Sequence, residues 1–246
     1  MRHALPLLFG AALLAGCSSV PVDPSGIWIN QAAIDEANQQ GKLRESLLAY
    51  GPNLEWQIDA KTGVASYSNG FEQAEGTLVA QDGNNWRVDF YGDDVLEQLS
   101  LDGSELVQKA SANLPEQRFV RPATPSTDAH APKGGSFEYA LYQTYLGGTW
   151  KISEGPGQGG LVLFHPDGTL EGLPGANRFA LCLAGDCAAM SGENDSIWLQ
   201  RGDQGSPWIF VHDGNRLEIL EAYNRARIDE IAEYTPGNRT WLLDRQ

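Results

Sequence analysis

Along most of the chain beyond residue 54, apolar and polar residues alternate with a period of two, in short runs separated by turn sequences. That period belongs to half-buried strands. It predicts strands at 54–59, 64–68, 76–81, 85–91, 95–101 and 105–109, with Lys61-Thr62-Gly63, Asp82-Gly83-Asn84 and Asp102-Gly103 as separators. The pattern resumes at 149–153, 161–165, 169–173, 197–201, 208–212, 217–223, 226–234 and 239–244, the last two divided by Thr235-Pro236-Gly237-Asn238. Leu220, Tyr223, Ile231 and Tyr234 also fit a helical spacing, so 217–234 reads as strand or helix. Two segments break the period. Ile34, Ala37, Leu43, Leu47 and Leu48 recur at helical spacing between an Asn30 cap and the Gly51-Pro52 stop, with Gly41 able to divide the run. Phe137, Leu141 and Tyr145 mark a second short helix. The expected fold is mainly β, with a short helical segment in each half and two small barrel- or sandwich-like domains joined by a Pro/Gly linker.

The first residues obey a different rule. Arg2 is followed by an apolar run, Leu5 to Leu14, shorter than the ~20 residues of a spanning helix, as in a signal peptide. Leu14-Ala15-Gly16-Cys17 resembles the bacterial lipobox. The resemblance implies that 1–16 are removed and that Cys17 becomes a lipidated N-terminus anchored by several acyl chains. Ser18 and Ser19, with no Asp after the Cys, resemble the outer-membrane class, with 17–25 as tether and the protein facing the periplasm. Two cysteines then remain. Cys182 and Cys187 flank the turn-like Leu-Ala-Gly-Asp, and an exported compartment favours a disulfide between them. A redox or metal role is the alternative, although no Cys-x-x-Cys and no nearby His supports it.

Residues 121–135, RPATPSTDAHAPKGG, carry almost no large apolar group and read as a flexible linker between a first domain, 26–120, and a second, 136–246. Each half opens on Gly-x-Trp, at Gly26-Ile27-Trp28 and Gly148-Thr149-Trp150, and each later carries an Asp-Gly turn, at Asp102-Gly103 and Asp213-Gly214. These matches suggest a duplicated β unit.

Leu146-Gly147-Gly148-Thr149-Trp150, Leu161-Val162-Leu163-Phe164, Asp167-Gly168 and Gly175-Ala176-Asn177-Arg178-Phe179 resemble the META or HslJ-like domain of envelope lipoproteins. Ala176 replaces that family's turn Cys, and Cys187-Ala188-Ala189-Met190 does not reproduce its later Thr-x-Met-x-Cys segment. The family implies fold and compartment and no catalytic residue. The Gly-x-Trp opening also resembles lipocalin-like barrels.

Charge narrows the partners. The chain has 17 basic and 32 acidic residues, a net −15, and loses one basic residue with the signal. Both halves are acidic, which argues against nucleic acid and against a charge-driven contact between the halves, and favours a basic periplasmic partner. Candidate chemistry is sparse. Tyr91-Gly92-Asp93-Asp94 resembles a polymerase turn, but a hairpin with solvated carboxylates suits this chain better. Asp89, Asp93, Asp94 and Glu97 offer hard-cation donors without an EF-hand loop. Gly155-Pro156-Gly157-Gln158-Gly159-Gly160 lacks the Lys-Ser/Thr of a phosphate loop. His130, His165 and His212 are scattered, and no nucleophile elbow or zinc-protease motif occurs. The expectation is therefore a non-enzymatic envelope binding or assembly module, with no catalytic residue, metal or cofactor. An acidic inhibitor of a basic toxin or hydrolase is one alternative. The other is a lipocalin-like carrier, which requires an open cavity lined by Trp28, Trp56 or Trp150.

Overall fold

Sixteen antiparallel strands form two sheets in the computed structural model, which describes residues 22–90, 95–112, 114–124 and 133–246. Cys17 and the segment before it, Asp93, Asp94, His130 and most of the expected linker lie outside the described residues. The first sheet runs in chain order through β1 (Gly26–Ile29), β2 (Glu55–Asp59), β3 (Val64–Ser68), β4 (Gln73–Ala80), β5 (Asn85–Phe90), β6 (Val95–Asp102), β7 (Glu105–Gln108) and β8 (Gln117–Phe119). An antiparallel bridge from Ile29 to Val120 brings its edges together. The second comprises β9 (Gly148–Glu154), β10 (Leu161–Phe164), β11 (Leu170–Glu171), β12 (Arg178–Leu181), β13 (Ser196–Arg201), β14 (Gln204–Asp213), β15 (Arg216–Asn224) and β16 (Tyr234–Arg245). Here β16 pairs with β9, and the seam between β11 and β12 is spanned by a Thr169–Arg178 bridge. Both sheets are thus nearly closed, eight-stranded up-and-down barrels, an architecture that removes exposed edges. The two Asp-Gly turns noted above join the sixth and seventh strands of each barrel.

Period two becomes inside and outside. In β5, Trp86, Val88 and Phe90 are buried while the residues between them are half-exposed. With Trp28, Trp56, Ile58, Leu99, Leu106 and Phe119 they fill the first barrel. Each such side chain, fully buried, contributes about 1.5–3 kcal/mol of transfer free energy.

The helical run divides where Gly41 stands. Asn30 Oδ1 accepts from Ala33 N (3.2 Å) and starts α1 (Gln31–Gln40); Gly41, at φ 70°, ends it, and α2 (Leu43–Ala49) follows. The expected helix near Phe137 is α3 (Gly135–Leu141), running into a π-helical turn, Tyr142–Leu146. A seven-residue helix, α4 (Gly185–Ser191), has no counterpart in the sequence reading; at this length the period shows too few repeats.

One expected strand is corrected. Residues 226–233 are neither strand nor helix but belong to the loop between β15 and β16, and β16 starts at Tyr234 and runs straight through Thr235-Pro236-Gly237-Asn238. Pro236 is tolerated because this part of β16 pairs only with β15. The partner β9 begins to pair at Leu242, so the missing N–H faces an edge.

The core does not stop at the boundary drawn at the linker. Ala33, Ile34, Ala37, Leu43 and Leu47 from α1 and α2, together with Leu54, belong to the same buried cluster as Tyr145, Trp150, Phe210, Ile219 and the rest of the second barrel's interior. The helix pair inserted between β1 and β2 thus covers the end of the second barrel. Acidity on both halves does not prevent this, because the contact is apolar.

Candidate functional site

Both Gly-x-Trp openings build the same device. Trp28 and Trp150 are buried on the first strand of their barrels, and each indole N–H donates 2.8 Å to the carbonyl four residues earlier, Pro24 and Leu146. Each ring is covered by an arginine from the end of its barrel, Arg121 at 3.8 Å and Arg245 at 4.5 Å from the ring centroid. Arg245 also donates to the carbonyls of Gly147 and Tyr145, both at 2.9 Å. Burial lowers the pKa of both arginines without threatening their charge at neutral pH. The suggested duplication is therefore visible as architecture. One strand order, one indole–arginine clamp and one Asp-Gly turn occur twice.

These indoles, named above as cavity linings for a carrier, pack against neighbouring rings. Trp56 packs against Tyr67 at 5.5 Å and Phe90 at 6.2 Å, and Trp150 against Phe164 at 6.5 Å. Trp208 and Trp241 pack at 5.0 Å at the far end of the second barrel, where Trp241 donates to the Pro156 carbonyl. Trp28, Trp56 and Trp150 are all buried in these core clusters.

The richest polar chemistry lies where the helix pair meets the second barrel. Asp195, just before β13, accepts from the backbone N–H groups of Leu43 (2.9 Å) and Arg44 (2.7 Å) at the start of α2. Glu55 on β2 accepts from Gly134 (3.1 Å) and Phe137 (2.8 Å) at the start of α3. Each half thus supplies a carboxylate to orphan N–H groups of a helix in the other. Burial raises the carboxyl pKa of Asp195, against the lowering effect of those two bonds. Tyr145 donates to the Gly41 carbonyl at 3.0 Å, and burial pushes its hydroxyl pKa up.

Beside them sits His212 on β14, 4 % exposed, its ring 4.5 Å from Tyr145 and 5.9 Å from Trp150. Neither ring nitrogen has a hydrogen-bond partner. Burial pushes the imidazole down to about 4; Arg245 adds to this and Asp213 opposes it. Sequence reading named His212 as one of several scattered histidines. Its inward phase on β14 was readable, but not the helix corner lying over it.

The other candidates separate. Cys182 and Cys187 lie at disulfide distance, with sulfurs 2.03 Å and Cα atoms 5.8 Å apart. The proposed cation donors are split by the barrel wall. Asp89 pairs with Arg87 at 2.6 and 2.9 Å, while Glu97 is buried and accepts from Gln108 at 2.9 Å. Burial raises the Glu97 carboxyl. His165 meets Glu171 across its own turn at 3.1 Å. Residues 155–160 form the turn between β9 and β10. Among the described residues, no group of three or more His, Cys, Asp or Glu is placed to hold a metal ion, and no helix is long and apolar enough to cross a membrane.

Two surface features remain. A shallow cleft of about 290 Å³ runs between the halves, walled by Leu47, Leu48 and Leu54 on one side and Leu183 and Ala188 on the other, with Arg44 at its rim. Farther out, β15 and β16 extend as an arm beyond their pairing with β9. Its loop is held by Asn224 Oδ1, which accepts from Ala226 and Glu233, and by Glu230 Oε2, which accepts from Arg227. This ordered loop presents Ile228 fully to solvent and Ile231 at 82 % exposure, with Tyr223 exposed behind them. An apolar residue in a strand-like run is expected to face a core, so the sequence pattern gives no sign of this arm.

No family model, curated protein or solved structure matches this chain.

Proposed function

We propose that this is an outer-membrane lipoprotein of the periplasm, anchored through Cys17, and that it works by protein contact rather than catalysis. The arm carries this reading: a hairpin loop tied by its own side chains holds two isoleucines in water. Ordering apolar side chains where they bury nothing costs stability, and an exposed apolar patch of this kind is characteristic of interaction sites. The lipobox supports the anchor. Gly26, where the first strand begins, is nine positions beyond Cys17, so the near end of the first barrel would stand within about 32 Å of the attachment point. The helix pair leaves the first barrel at its other end, and the arm lies on the side of the second barrel away from that pair. Net charge favours a basic partner, whose association should slow as salt rises.

A photo-crosslinking residue at position 228 in living cells tests this. One discrete protein adduct is expected, abolished by an Ile231→Asp change in the same chain. Absence of any adduct, or steady turnover of an envelope substrate by the purified protein, would overturn the reading. Replacing Cys17 by Ser should move the protein from the membrane to the soluble fraction; retention in the membrane argues against the anchor.

A further inference from the structure

The junction between the halves contains a group that serves neither packing nor hydrogen bonding well. His212 is an imidazole held almost free of water with both nitrogens unpartnered, and leaving a buried polar group unsatisfied is costly. Directly above it lies the corner between α1 and α2. A Cβ on Gly41 would overlap the His212 carbonyl oxygen, so only glycine lets the corner sit so low. The corner is fastened at three points: Tyr145 to the Gly41 carbonyl, and Asp195 to the Leu43 and Arg44 amides.

We propose that His212 is an acid trigger beneath this corner, and that its protonation releases the α1–α2 pair from the second barrel. Protonation gives the ring two N–H donors with no acceptor in reach. It also places a cation near Arg245, which lies over the adjacent Trp150 ring. The charged ring needs water, and the helix corner covers it.

The groups facing His212 from the surrounding elements set the balance. Arg245 on β16 opposes its charge, and Asp213, its neighbour on β14, favours it. Tyr145 from the π turn stays neutral, and Lys42 at the corner is engaged by Glu45 at 2.8 Å. Asp195, from the loop before β13, works against the trigger, because burial raises its pKa and its protonation therefore favours the seated corner. The carboxyl of Glu138 on α3 is also raised by burial.

The sign follows from linkage. With the seated pKa near 4 and an ordinary value of 6.5 when released, release is promoted as pH falls through that window and is unchanged above it. At pH 5 those two values shift the equilibrium toward release about 30-fold.

Hydrogen exchange over residues 31–49 of the full chain tests the proposal. Wild type is compared at each pH with His212→Phe and His212→Gln, so that the intrinsic exchange chemistry cancels. Wild type and variants should differ by a constant factor at pH 7 and above. At pH 5 the wild type should gain about 30-fold in exchange over that factor, confined to this segment. A ratio independent of pH overturns the proposal, as does a gain spread evenly over the chain. If neither variant folds, ring resonances of His212 in the wild type serve instead. A midpoint well below 6.5, shared with the Leu43 and Arg44 amide shifts, supports the trigger. A midpoint near 6.5, or amides that do not follow it, overturns it.

Discussion

Single side chains in this protein act mostly through what they leave room for. Gly41 combines a left-handed backbone with the near contact to His212, so Gly41→Ala meets both a conformational penalty and overlap with a carbonyl. A loss of about 2 kcal/mol or more is expected in urea unfolding, larger than for an exposed turn glycine such as Gly103, where a Cβ meets nothing. Glu97 gives a prediction of the opposite sign. Its burial raises the carboxyl pKa, so the native state holds the proton more tightly than the unfolded chain, and its contribution is lost as pH rises through the folded value. Glu97→Gln, which keeps an oxygen for Gln108, should raise the urea midpoint at pH 8, with the gain shrinking toward pH 4. An unchanged gain across that range would contradict the assignment. Both residues illustrate the limit of sequence reading. Gly41 was recognisable as a helix breaker, and Glu97 as a carboxylate in an alternating strand. That one seats a helix corner and the other is buried depends on residues far away in the chain.

At the scale of elements, the period-two runs were legible because water lies outside each barrel wall and the core inside, so the alternation marks most strands to within a few residues. What escaped were elements too short to show a period, such as β8 and α4, and the arm, where apolar residues point into solvent for a reason the pattern does not carry. Because Ile228 and Ile231 bury nothing, changing both to Asp should alter unfolding free energy by less than about 0.5 kcal/mol. A markedly larger loss would mean that they pack in the protein itself. The Cys182–Cys187 pair, five residues apart, encloses only a small loop at the head of α4. Its removal by Cys182→Ser with Cys187→Ser should cost about 2 kcal/mol on the loop-entropy relation, read as a fall in thermal midpoint matched by reducing the wild type.

For the molecule as a whole, the shared core is decisive. The helix pair belongs to the first half by sequence and to the second barrel by packing, and Glu55 and Asp195 exchange helix-start contacts across the same boundary. Urea unfolding of the full chain should therefore proceed in one transition, monitored alike by tryptophan fluorescence and far-ultraviolet circular dichroism. Residues 133–246 expressed alone should bind a hydrophobic dye, because the surface seated under Ile34 and Leu43 is then uncovered. Two separate transitions, or a fragment as stable as the full chain, would refute this unity.

Sequence by itself determined the strand-rich class, the helix broken at glycine, the repeated Gly-x-Trp opening and the pairable cysteines, since each rests on neighbours within a few residues. Tertiary structure alone decided that the indoles lie buried in packed cores and that the halves share one core. It also decided that an unpartnered histidine lies beneath the corner joining them and that two isoleucines stand out in water. These depend on which distant surfaces meet, and a local pattern of apolar and polar residues records that a face is apolar without recording what covers it.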